Sequence, residues 1–117
     1  MSLRPWLFGL SLAATMAVSA TEGVSIRVTP PKSFAPATVI IRASIEPNAN
    51  NRAMVVVADS DSFYRSSVMQ LEGDRGPKTT TLEFHGLPPG EYHVTASVID
   101  ANGQRTAVAG THVEVIE

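Results

Sequence analysis

The sequence predicts an all-β fold: a seven-stranded antiparallel two-sheet sandwich preceded by an N-terminal signal peptide. Three observations predict it. Apolar and polar residues alternate with period two after residue 20, and no amphipathic helix exceeds two turns. Turn signals recur at regular intervals, which gives seven strands in about a hundred residues. The chain has 117 residues, 44% of them hydrophobic and 17% charged, enough for one domain with one core.

The leader comes first. Arg4 opens a short positive start, and Trp6-Leu7-Phe8-Gly9-Leu10-Ser11-Leu12-Ala13-Ala14 is an apolar run. Ala17-Val18-Ser19-Ala20 then places small residues where a signal peptidase reads, with cleavage after Ala20. The apolar run is shorter than the ~20 residues of a membrane span. Residues 1–20 are therefore expected to be a signal peptide and 21–117 the mature domain. Loss of Arg4 takes Lys+Arg from 9 to 8 against 11 Asp+Glu, so the mature net charge is −3. The only tryptophan, Trp6, leaves with the leader. The product is expected outside the cytoplasm, periplasmic or secreted, with no stable membrane insertion after cleavage.

The first mature strand is 24–29, where Val24, Ile26 and Val28 alternate with Ser25, Arg27 and Thr29. Pro30-Pro31 stops it and argues for a sheet edge. In 38–46, Val39, Ile41, Ala43 and Ile45 share one face. Met54-Val55-Val56-Val57-Ala58 makes 52–59 a continuous apolar run, which fits a central strand. The less regular 63–72 closes on Gly73-Asp74-Arg75-Gly76-Pro77. Leu82 and Phe84 face one way in 78–85. Tyr92, Val94, Ala96 and Val98 share a face of 90–100, and Ala101-Asn102-Gly103 signals a hairpin into 104–116.

Leu82-Glu83-Phe84-His85-Gly86-Leu87-Pro88-Pro89-Gly90-Glu91-Tyr92-His93-Val94-Thr95-Ala96 resembles the E–F corner segment of immunoglobulin-like and fibronectin type III-like domains. Asp100 to Gly103 resembles their F–G hairpin. The resemblance implies an immunoglobulin-like sandwich and makes Tyr92 its structural tyrosine corner, with the hydroxyl bonded to backbone a few residues upstream. The chain departs from antibody-type domains in lacking both cysteines and a core tryptophan. A similar Leu-Pro-Pro-Gly-x-Tyr segment occurs in carboxypeptidase regulatory-like domains, whose glycine-rich opening pattern is missing here. Such folds host many functions, so the resemblance implies architecture only.

Composition and motifs then narrow the chemistry. The chain holds no cysteine, which excludes a disulfide framework, a thiolate metal site, a cysteine nucleophile and a lipid anchor on cysteine. Mild acidity gives no electrostatic footprint for nucleic acid. No Gly-x-Ser-x-Gly elbow and no glycine-rich phosphate loop occur. The expectation is a chain that is not an enzyme and needs no cofactor. Asp59 and Asp61 fall at the opposite end of a predicted hairpin from Glu72 and Asp74, so the four carboxylates cannot surround one hard cation.

Two features remain. If Asn102-Gly103 is a two-residue turn, paired residue numbers sum to 205. His93 then faces His112, Glu91 faces Glu114 and Asp100 faces Arg105. Two imidazoles and two carboxylates with cross-strand Cβ separations of ~5 Å would suit a borderline divalent ion such as zinc. A type I turn with Gly103 left-handed shifts the sum to 204, separates the histidines onto opposite faces, and points Val113 and Val115 outward unless a bulge resets the phase. Both registers stay open. The second feature is Phe63-Tyr64-Arg65, whose aromatic and arginine composition is that of interface anchors, with Arg52 as an extension. The expected function is an exported interaction module or envelope accessory protein that binds another extracytoplasmic protein. A small-ligand or carbohydrate binder and a divalent-metal-binding sheet surface are the alternatives.

Overall fold

Alternating apolar residues form strands here because each strand has a partner sheet to bury one face against. The computed structural model describes residues 15–117. Its strands are β1 (Ala17–Thr21), β2 (Val24–Thr29), β3 (Lys32–Phe34), β4 (Ala37–Ile45), β5 (Asn51–Asp59), β6 (Tyr64–Gln70), β7 (Thr79–Leu87), β8 (Gly90–Asp100) and β9 (Arg105–Ile116). They form two sheets, ordered β1-β2-β4-β7 and β3-β9-β8-β5-β6. Ile26, Val28, Val39 and Ile41 from the first sheet meet Met54, Val56, Val94, Val113 and Val115 from the second, all essentially inaccessible to water. Each such side chain contributes about 1.5–3 kcal/mol by burial.

The described residues therefore hold nine strands rather than the seven expected. The seven expected ones correspond to β2 and β4 to β9. The extra β3 is three residues long and sits between Pro30-Pro31 and Pro36, too short for alternation to register. It pairs with β9 in parallel, so the sheets are not wholly antiparallel. The extra β1 pairs antiparallel with β2 along Ala17–Thr21. The proline-terminated β2 is consequently an inner strand and not the sheet edge expected of it.

The apolar core of the expected signal peptide, residues 6–14, lies outside the described residues. The expected cleavage point after Ala20 falls within β1. No helix among the described residues is long and apolar enough to cross a membrane.

The β8–β9 hairpin uses both registers. At the turn, Gly103 N–H donates to the Asp100 carbonyl and Asp100 N–H to the Gln104 carbonyl, with Gly103 at φ 79°. This is the type I turn with a left-handed glycine, and Ile99 pairs with Arg105. The expected Asp100–Arg105 pairing is corrected accordingly. Between Ile99 and Val98 the register then shifts, because Val98 pairs with Ala107 and Thr106 is left as an extra residue. Beyond that bulge the pairs sum to 205 as far as Gly90–Val115. The bulge turns Val113 and Val115 into the core and His112 outward.

Candidate functional site

The outer face of the five-stranded sheet carries most of the residues singled out from the sequence. One row across it runs His112 on β9, His93 on β8, Asp59 on β5 and Tyr64 on β6, each paired with the next. The two imidazoles stack, with centroids 4.9 Å apart and planes at 16°. Gly110, the next outward position on β9, makes room for this. A Cβ there would come within 2.9 Å of His93 Nε2. Beside the pair lies an open cleft of about 580 Å³ lined by Asp59, Ser60, Asp61, Glu91, His93 and His112 among others.

Glu91 and Glu114 do pair across the hairpin, one row along from the histidines. Glu114 is taken up by Lys32, with Nζ–Oε1 at 3.7 Å. The four residues expected to hold a metal thus share a face without converging. Among the described residues no three His, Asp or Glu side chains are gathered in a way that could hold an ion.

Two rows from the histidines, counting along the strands in alternate residues, the same face becomes largely apolar. Val68 pairs with Val55, Val55 with Ser97 and Ser97 with Val108. Tyr64 is 62% exposed and Val68 61% exposed, on the edge strand β6. Val55 and Val57 lie half-buried beside them.

Strand parity divides the predicted Arg52, Phe63, Tyr64 and Arg65 patch. Tyr64 projects outward, whereas Phe63 and Arg65 turn towards the sandwich interior. Phe63 meets Tyr92 edge-on at 6.4 Å and 76°. The Arg65 guanidinium covers the Phe63 ring at 5.3 Å and donates from Nη1 to the His85 carbonyl on β7 at 2.6 Å. Arg65 therefore ties the two edge strands β6 and β7 together across the open side of the sandwich. Arg52 sits at the other end of β5 and donates to the Ala49 and Asn51 carbonyls. The four side chains are not one surface.

Tyr92 is fully buried and its hydroxyl donates to the Pro88 carbonyl at 2.7 Å, four residues upstream. Burial pushes its phenol above the ordinary value of 10.0, and a hydrogen bond with Ser60 and the Arg65 charge offset part of that rise. Sequence reasoning did not find Asp59 beside His93 or the Arg65–His85 tie. Both depend on which strands become neighbours, and no local pattern states that.

This architecture is that of a two-sheet, all-β sandwich. Solved structures with a similar fold include a superoxide reductase (neelaredoxin) from Ignicoccus hospitalis, at TM-score 0.58 and 14% identity over 84% of this chain and 82% of that one. A variant of the same reductase aligns at TM-score 0.58 and 14% identity over 98% of this chain and 99% of that one. The soluble domain of PmoD from Methylocystis sp. ATCC 49242 (Rockwell) aligns at TM-score 0.55 and 12% identity over 86% of this chain and 96% of that one. At such identities the likeness concerns the fold alone.

No protein-family model matches the chain, and no curated protein matches it. The expectation that the chain is not an enzyme is corrected by the first of these likenesses. A superoxide reductase is built on a similar sandwich, so the architecture gives no ground for excluding catalysis.

Proposed function

We propose that the chain is an exported sandwich domain, of the immunoglobulin-like or fibronectin type III-like kind, that docks another extracytoplasmic protein on the outer face of its five-stranded sheet. In this reading residues 1–20 direct export and 21–117 form the working domain. The observation that supports it is the exposure of Tyr64 and Val68, at 62% and 61%, beside half-buried Val55 and Val57 on one sheet face. Aromatic residues anchor interfaces by filling partner pockets, and this tyrosine is free of the packing that holds Phe63 and Arg65 in place.

Charge at one end of the patch narrows the partner. Asp59, Asp61 and Glu91 line the cleft next to Tyr64. The complementary surface is an apolar strip with a basic margin.

A photo-reactive residue in place of Val68, irradiated in the native envelope, should give one defined adduct that disappears in the Tyr64→Ala background. The same residue in place of Thr81, on the other sheet, is the control. Adducts of equal yield from both positions, or none from position 68, overturn the reading.

A further inference from the structure

The stacked histidine pair lies on the same sheet face as Tyr64, at the far side of its row, and asks for its own explanation. We propose that His93 and His112, with Asp59, form a binding site for a borderline divalent ion, zinc or copper(II), that assembles when the ion arrives. Three observations carry it. The imidazoles belong to directly paired residues of β8 and β9, with centroids 4.9 Å apart and both side chains exposed. Two metal–nitrogen bonds of about 2.0–2.1 Å at a tetrahedral angle set the nitrogens about 3.3 Å apart. Exposed rings reach that separation by turning their edges together, without movement of the strands.

Secondly, Gly110 lets the His93 ring lie against β9. A Cβ at this position would come within 2.9 Å of Nε2, so the ring leans towards the strand that carries His112. Thirdly, the surroundings are anionic. Asp59 pairs directly with His93 and lines the same cleft, together with Asp61 and Glu91. A field of this sign favours a cation, and imidazole with carboxylate is a donor set that zinc and copper(II) accept.

Asp59 replaces the glutamates of the sequence expectation as the carboxylate donor. It lies in the same row as the histidines, whereas Glu91 and Glu114 lie two residues along their strands, ~6.7 Å away. Glu114 is further occupied by Lys32. Parallel rings do not present both nitrogens to one point, so no ligand group is preset and binding requires the rings to turn.

The test is a titration of the purified protein with zinc chloride, followed by the imidazole proton and nitrogen resonances, and with copper sulfate, followed by electron paramagnetic resonance. His85 is the internal control, since it sits on β7 beside Glu83 at 3.1 Å and away from the pair. Resonances of His93 and His112 should move together and saturate at one zinc per chain while His85 stays still. His93→Asn and His112→Asn should each weaken binding at least tenfold, and Asp59→Asn at least threefold. Unchanged thermal midpoints without metal show that these exposed positions still fold. No saturation at millimolar metal, equal movement of His85, or unaltered affinity in either histidine variant overturns the site. Unaltered affinity in Asp59→Asn overturns the carboxylate donor.

Discussion

Replacing Tyr92 by phenylalanine deletes one oxygen from the corner where β7 turns into β8. The ring keeps its place against Phe63, but the Pro88 carbonyl loses the donor that reaches it at 2.7 Å. A neutral hydrogen bond contributes about 0.5–1.5 kcal/mol net, and an acceptor left without a partner adds its own penalty. The part-buried setting of this bond puts the loss at about 1–2 kcal/mol at neutral pH. For a domain of about 60–100 residues, each kcal/mol lowers Tm by about 4–8 °C.

The pH dependence gives the sharper test. Burial raises the Tyr92 phenol in the folded state, so the folded chain holds this proton more tightly than the unfolded chain does. The stability linked to that proton is complete below the unfolded value of about 10 and is lost as pH rises through the folded value. Urea unfolding of both proteins, followed by circular dichroism from pH 7 to about pH 11.5, should show the gap constant up to pH ~10 and shrinking above it. Groups common to both proteins cancel in the difference. A gap under about 0.3 kcal/mol at pH 7, or one that widens with alkali, refutes the reasoning.

Two further outcomes follow from the geometry. Gly110→Ala places a Cβ 2.9 Å from His93 Nε2 and 3.1 Å from Thr95 Cγ2, and the flexible ring is the part that yields. The ring contacts between His93 and His112 should disappear from nuclear Overhauser spectra while stability falls by less than about 1 kcal/mol; a retained stack refutes the close approach. Removing residues up to Ala20 strips β1 from β2 and leaves β2 a sheet edge. Amides of 24–29 that face β1 should exchange faster in 21–117 than in 15–117, with β5 unchanged, and equal exchange would show that β1 does not protect them.

Legibility in the sequence followed physical rules. Strands β4, β5, β8 and β9 could be read because each is long and alternates or runs apolar, so side-chain parity alone marks the buried face. Three-residue β3 offers no period, and its parallel pairing joins residues about eighty positions apart, which local patterns do not encode. Ala17-Val18-Ser19-Ala20 has two readings at once. Small residues fit a peptidase, and the same residues fit against β2 as a strand. Tyr92 was legible because its corner is a local motif. Phe63 and Arg65 were grouped with Tyr64 as neighbours in sequence, whereas a strand sends neighbours to opposite faces. Arg65 consequently reaches the His85 carbonyl while Tyr64 meets solvent.

The pairing of His93 with His112 shows how one residue can decide a site. The two-residue turn that predicts this pair does not form; the three-residue turn with left-handed Gly103 does, and by itself it would put the histidines on opposite faces. The extra Thr106 returns the strand to the other register. Core and site demand the same correction. Without it, Val113 and Val115 would meet water and His112 would enter the apolar interior unpaired, each change costing on the order of 1–3 kcal/mol. Burial of the two valines is therefore what stabilises the bulge, and exposure of the histidine pair comes with it. The sheet surface that could take a metal ion is set by the packing on its other side.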